Sequence, residues 1–174
     1  MVRLPRRPAC VVPAALVLSA LTFAGCANGG NVTTLSAPPT TDPALTLTLQ
    51  KSPAGPILAT GNGSTLYDFV PDTPKHSACV DDGCVFQWPP LVEHGPVRVE
   101  QGLNQSLVGT LKRPDGSIQL SYGGHPLYTY NLDVRPGMVT GQAIDQNGGL
   151  WYVLDRRGNQ ITASFSVQSP NQNG

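Results

Sequence analysis

Between His76 and Cys84 the chain reads His76-Ser-Ala-Cys79-Val-Asp-Asp-Gly-Cys84, which gathers one imidazole, two thiols and two carboxylates within nine residues. In the reduced state His76, Cys79 and Cys84 supply ligand types suited to zinc or copper, and the two thiols alone could exchange electrons as a dithiol. The four-residue gap between the cysteines is neither the two-residue gap of most zinc sites nor that of thioredoxin-like redox sites. A disulfide across this short loop is feasible if the backbone turns at Asp82-Gly83, and by chain entropy it contributes roughly 2 kcal/mol. The first reading is therefore a structural Cys79–Cys84 disulfide, with redox exchange or metal handling through His76, Cys79 and Cys84 as the alternative.

Little else in the chain announces a reaction. Asp72 and Asp133 recur at equivalent places after apolar segments, where a carboxylate can accept backbone N–H bonds and pin a turn. As a general acid and base they would have to face each other across a cleft. His94 and His125 have no evident partner and read as surface or turn residues. The sequence holds no G-x-S-x-G, H-E-x-x-H, phosphate-binding loop or dinucleotide fingerprint. The expectation is a protein that is not an enzyme and needs no cofactor.

The elements that must position these residues come as a duplication. Gly63-Ser-Thr-Leu-Tyr-Asp-Phe-Val-Pro-Asp72 is matched 61 residues later by Gly124-His-Pro-Leu-Tyr-Thr-Tyr-Asn-Leu-Asp133, and each copy runs on to a tryptophan, Trp88 or Trp151. Self-similarity at a fixed offset means two copies of one supersecondary unit. Apolar residues alternate with polar ones at Leu45, Leu47 and Leu49, at Val97 and Val99, at Ile118, Leu120 and Tyr122, and at Ile161, Ala163, Phe165 and Val167, the pattern of strands with one buried face. Gly61-Asn-Gly63, Pro114-Asp-Gly116 and Gly123-Gly124 supply the turns. No segment shows a helical period. The fold class expected is all-β: two tandem antiparallel β-meander repeats, about residues 57–91 and 118–155, packed sandwich-like around a shared core in a domain spanning 45–168.

Within each repeat Tyr67 and Phe69, or Tyr128 and Tyr130, share one strand face, with Leu66 and Asp68 on the other. These aromatic rings, with Trp88 and Trp151, are expected to fill the core. The functional alternative is an exposed aromatic platform for a glycan.

Arg3, Arg6 and Arg7 precede an uncharged stretch from Ala9 to Gly25, the pattern of an export signal over residues 1–25 that is too short and too interrupted by Pro13 for a membrane span. Ala24 and Gly25 lead into Cys26, which resembles the lipobox of bacterial lipoproteins, with Phe23 where leucine is usual. Acylation of Cys26 with two chains would anchor the protein stably on the extracytoplasmic face of the cell membrane; simple secretion after cleavage near Ala24 is the alternative. Residues 26–44 are rich in Asn, Gly, Thr, Ser and Pro and read as a flexible tether, and residues 169–174 as a disordered tail. Loss of the leader leaves eight Lys and Arg against eleven Asp and Glu, a net charge of minus three that argues against nucleic acid as a partner. The partners left are membrane lipid through Cys26 and an envelope protein or glycan.

Tyr67-Asp-Phe69-Val-Pro-Asp72 and Tyr128-Thr-Tyr130-Asn-Leu-Asp133 both fit Y-x-[FWY]-x-x-D, and the chain thereby resembles the bacterial lipoproteins grouped as the secreted repeat of unknown function. The likeness runs from about residue 57 to 155 and takes in Cys79, Cys84 and Trp88-Pro-Pro-Leu91 in the first copy. In the second it takes in Arg113-Pro-Asp-Gly116, Pro136-Gly137, Gly141-Gln142 and Gly149-Leu-Trp151. The resemblance implies an exported, often lipid-anchored protein of two repeats and no established activity.

Overall fold

The computed structural model of the chain describes residues 45–165. The segments expected to form the export signal, the lipid-attachment site at Cys26, the tether and the tail therefore lie outside the described residues.

The alternation of apolar side chains forms strands nearly wherever it occurs. β1 (Leu45–Ser52) and β2 (Gly55–Thr60) make an antiparallel hairpin, and β4 (Val97–Val99) adds in parallel on the far edge of β1. A second sheet has β9 (Gly149–Val153) between β3 (Tyr67–Phe69) and β8 (Ile144–Gln146), and a third joins β5 (Val108–Lys112), β6 (Ile118–Tyr122) and β7 (His125–Pro126). Both expected turns of the second copy are present, with Gly116, Gly123 and Gly124 all at positive φ, where a side chain would be strained. In the first copy the Gly61–Gly63 turn brings Leu66 N–H to Leu58 O at 3.1 Å. The protein is all-β and built of two tandem repeats.

Two expectations are corrected. A short helix, α1 (Asp82–Gln87), begins inside the Cys79–Cys84 loop and carries Cys84; the Asp81 carboxylate caps it by accepting from Cys84 N–H at 3.0 Å. Six residues are too few to show a period, so the capping aspartate was its only signal. The segment Ile161–Phe165 alternates like a strand but forms none. Ile161 N–H reaches Val153 O, and the carbonyls of Ile161 and Ala163 are taken by the Gln142 side-chain amide instead of a neighbouring strand. Val167 lies outside the described residues.

Strand pairing does not stop at the boundary between copies. β3 of the first copy pairs with β9 at the end of the second, Tyr67 opposite Val153 and Phe69 opposite Trp151. The mirror arrangement places Tyr128 opposite Pro90, with Thr129 N–H on Pro89 O and Asn131 N–H on Gln87 O. Leu58 N–H bonds Leu154 O while Leu120 N–H bonds Leu91 O, again one copy completing the other. Each half is finished by the closing segment of its twin, which gives the domain a pseudo-twofold axis.

The period-two geometry of the motif strands sorts their side chains into two apolar clusters. Leu66 and Leu127 join Leu47, Leu58, Leu120, Tyr122 and Leu154 on one side, whereas Tyr67, Phe69, Tyr128 and Tyr130 join both tryptophans and the disulfide on the other. Both copies contribute to both clusters, so neither repeat has a core of its own.

Candidate functional site

The axis between the copies passes through the two motif tyrosines. Tyr67 N–H donates to Tyr128 O and Tyr128 N–H to Tyr67 O, each at 2.9 Å. The phenols then cross over: Tyr67 Oη donates to Asp133 Oδ2 at 2.6 Å and Tyr128 Oη to Asp72 Oδ2 at 2.7 Å. Each aspartate uses its other oxygen on its own loop, Asp72 Oδ1 accepting from Ala78 N–H at 2.7 Å and Asp133 Oδ1 from Thr140 N–H at 2.9 Å. The expected pinning of the turns is correct, and the sequence did not reveal that the same carboxylates clasp the opposite repeat. Burial, then the neighbouring carboxylate, raises the pKa of both phenols, so they are held protonated as donors. Burial also raises Asp72, against the hydrogen bonds from Tyr128 and Ala78.

Beside the clasps stands a column of four stacked rings. Phe69 lies on Trp151 with centroids 4.2 Å apart, Trp151 on Trp88 at 3.9 Å and 3° between planes, and Trp88 on Tyr130 at 4.1 Å. Tyr67 meets Trp88 edge-on at 5.4 Å and Tyr128 meets Trp151 edge-on at 5.1 Å, geometry that aligns ring edges with ring faces. One residue serves both indoles: Trp88 Nε1 donates to Gln146 Oε1 at 3.3 Å and Trp151 Nε1 to Gln146 O at 3.1 Å. Tyr67, Tyr128, Trp88 and Trp151 are all 0% exposed. The core reading of these rings is therefore correct, and an exposed aromatic platform for a glycan is not formed.

Cys79 and Cys84 are joined in a disulfide with Cα atoms 5.5 Å apart, and both are buried. His76, Asp81 and Asp82 point the other way in effect, all being exposed, so the nine-residue cluster does not converge on a centre. With its sulfurs bonded to each other, the pair offers no thiolate to a metal, and no group of three or more His, Cys, Asp or Glu among the described residues is arranged to hold one.

Two polar clusters were missed by sequence reasoning. Arg113 is buried, and its guanidinium donates to Ser77 Oγ at 2.8 Å, Gln119 Oε1 at 2.6 Å and Cys79 O at 2.7 Å. Ser77 in turn meets Tyr128 Oη at 2.7 Å, which continues the chain to Asp72 and ties the disulfide loop to the clasp. In sequence Arg113 reads only as the residue before a Pro-Asp-Gly turn. The second correction concerns His125, which does have a partner: its Nδ1 lies 3.2 Å from Oδ2 of the buried Asp68, an oxygen that Gln160 Nε2 also reaches. The bond to Asp68 raises the His125 pKa above the ordinary imidazole value.

A family model described as a secreted repeat of unknown function matches residues 48–92 and 109–155, more than half of the chain. The chain belongs to that family. No curated protein and no solved structure matches it. No helix among the described residues is long and apolar enough to cross a membrane.

Proposed function

We propose that this is a cell-envelope lipoprotein, held on the extracytoplasmic face of the membrane by acylated Cys26, whose β domain is a non-enzymatic binding or structural module. The observation that carries the reading is where the family signature goes. The tyrosines, aspartates and tryptophans of both motifs are spent on joining two halves, so what the signature encodes is a scaffold. Half-buried carboxylates already satisfied by tyrosine and backbone donors are poorly placed to act on a solute. Recognition then falls to surface loops, with an envelope protein or a glycan as the partner they would meet. At full extension eighteen residues, the number from 27 to 44, would span about 60 Å at roughly 3.4 Å per residue, the upper limit on how far a tether of that length could hold the domain from the lipid.

Membrane fractionation of cells expressing Cys26→Ala tests the anchor. The wild-type chain is expected in the detergent phase after a salt wash, and the variant in the aqueous phase with an unchanged far-ultraviolet circular dichroism spectrum. A variant that stays with membranes through the salt wash would refute anchoring by Cys26.

A further inference from the structure

We propose that the Trp88–Trp151 pair and Tyr130 of the ring column form a one-electron relay, and that Tyr67 and Tyr128 are the places where an oxidising equivalent comes to rest. This stands on the ring geometry and does not depend on how the chain is anchored. Indole and phenol are the side chains most readily oxidised by one electron, and the two indoles here overlap face to face at 3.9 Å with planes 3° apart. A positive charge on such a pair spreads over both rings, which makes the pair easier to oxidise than a single tryptophan. Both Nε1–H groups donate to amide oxygens of Gln146, which are too weakly basic to take the proton. The oxidised pair therefore stays a cation and a strong oxidant of a nearby phenol.

Each motif tyrosine touches that pair and has a proton acceptor already in place. Tyr67 sits against Trp88 and donates to Asp133 at 2.6 Å; Tyr128 sits against Trp151 and donates to Asp72 at 2.7 Å. A phenol becomes a strong acid when it loses an electron, so its proton must leave as the electron does. A carboxylate within hydrogen-bond reach accepts it without rearrangement. Tyr122 shows the contrast: its phenol donates to the carbonyl of Arg156, which cannot take a proton. Tyr130, 6% exposed at one end of the column, is where charge can enter from the surface.

The step balances as follows. An oxygen-centred radical, the class of one-electron oxidant that a secreted protein meets, takes one electron from the Trp88–Trp151 pair through Tyr130, the end of the column nearest the surface, and becomes an anion. The pair regains an electron from Tyr67, whose O–H bond breaks, and the proton passes to Asp133 Oδ2. What remains is a neutral tyrosyl radical beside a carboxylic acid. An external thiolate returns the electron and departs as a thiyl radical, the proton returns from Asp133 to the Tyr67 oxygen, and the resting state is restored. Tyr128 and Asp72 do the same in the other half.

The test is flash-quench oxidation of the detergent-solubilised full-length mature chain by photogenerated ruthenium(III) tris-bipyridine, followed by transient absorption and freeze-quench electron paramagnetic resonance. A tryptophanyl cation is expected to decay into a tyrosyl radical, more slowly in deuterium oxide. Because both tyrosines draw on the same tryptophan pair, the tyrosyl yield in Tyr67→Phe or Tyr128→Phe should stay close to wild type while the tryptophanyl cation decays at about half the rate, and the yield should fall to background in the double variant. In a Tyr128→Phe background, Asp133→Asn should keep the hole on tryptophan for longer with Tyr67 still present. A tyrosyl radical that persists in the double variant would overturn the proposal, because it would then sit on another tyrosine. An oxidised wild-type chain without a tyrosyl signal would overturn it whether or not the variants fold.

Discussion

Removing the Trp151 ring should be among the most damaging single changes available to this domain. The side chain is fully buried, lies between Phe69 and Trp88 in the column, takes the edge of Tyr128, and donates to Gln146 O. Taking about 200 Å² for the buried indole at about 25 cal/mol per Å² gives about 5 kcal/mol for transfer. Lost ring pairing adds about 1 kcal/mol, and partial collapse of the cavity together with the retained Cβ takes a similar amount back. Trp151→Ala is therefore expected to cost about 5 kcal/mol, at the upper end for an aromatic truncated to alanine. Equilibrium unfolding in urea, followed by far-ultraviolet circular dichroism, measures the change. Trp151→Phe, which keeps a ring in the column, should cost about 1 to 2 kcal/mol. A loss below about 1 kcal/mol for Trp151→Ala at unchanged denaturant slope would refute the reasoning, since a residue so placed cannot be removed that cheaply.

Three further outcomes can be measured in the same assay. A methyl group at Gly141 would lie 2.7 Å from Trp88 Cη2 and 3.0 Å from Tyr67 Cε1, so Gly141→Ala should destabilise by about 1 to 3 kcal/mol through overpacking; no loss would show that the column has room to move. His125 has its pKa raised by the bond to Asp68, so its contribution is complete below the unfolded value of about 6.5 and is lost as pH rises through the folded value. With 34% of the side chain exposed, the wild-type advantage over His125→Gln should be about 0.5 kcal/mol near pH 6 and fade above it, and an advantage growing with pH would reverse the argument. Replacing both Cys79 and Cys84 by serine should cost roughly 2 kcal/mol from the opened loop, plus the loss of two buried sulfurs. A change within error would mean that α1 holds the loop without the bond.

What could be read from the chain was local. Alternation at Leu45–Leu49 and Ile118–Tyr122, and the Gly and Pro turn residues between segments, gave strands and hairpins because both depend on neighbours in sequence. The Y-x-[FWY]-x-x-D repeat gave the duplication and placed its rings correctly in the interior. The exchange of closing segments between copies was hidden, since Pro90 and Val153 occupy equivalent places and nothing local says which tyrosine each will face. Arg113 and the Asp68–His125 pair were hidden for a related reason: their partners lie 6 to 92 residues away, and burial of a charge is visible only once those partners converge. Alternation at Ile161–Phe165 misled because it reports a two-sided extended chain, and the carbonyls a neighbouring strand would use are occupied by Gln142.

The swapped closing segments bear on what a shorter polypeptide could do. A fragment carrying one Y-x-[FWY]-x-x-D unit would have its tyrosine without an aspartate and its tryptophan without a mate, and it could satisfy them only by capturing a second molecule. Linkage in one chain replaces that encounter with an effective concentration in the millimolar range, independent of how dilute the protein is. Cutting the loop between β4 and β5 should thus leave two pieces that reassemble on mixing, and neither should hold its shape alone.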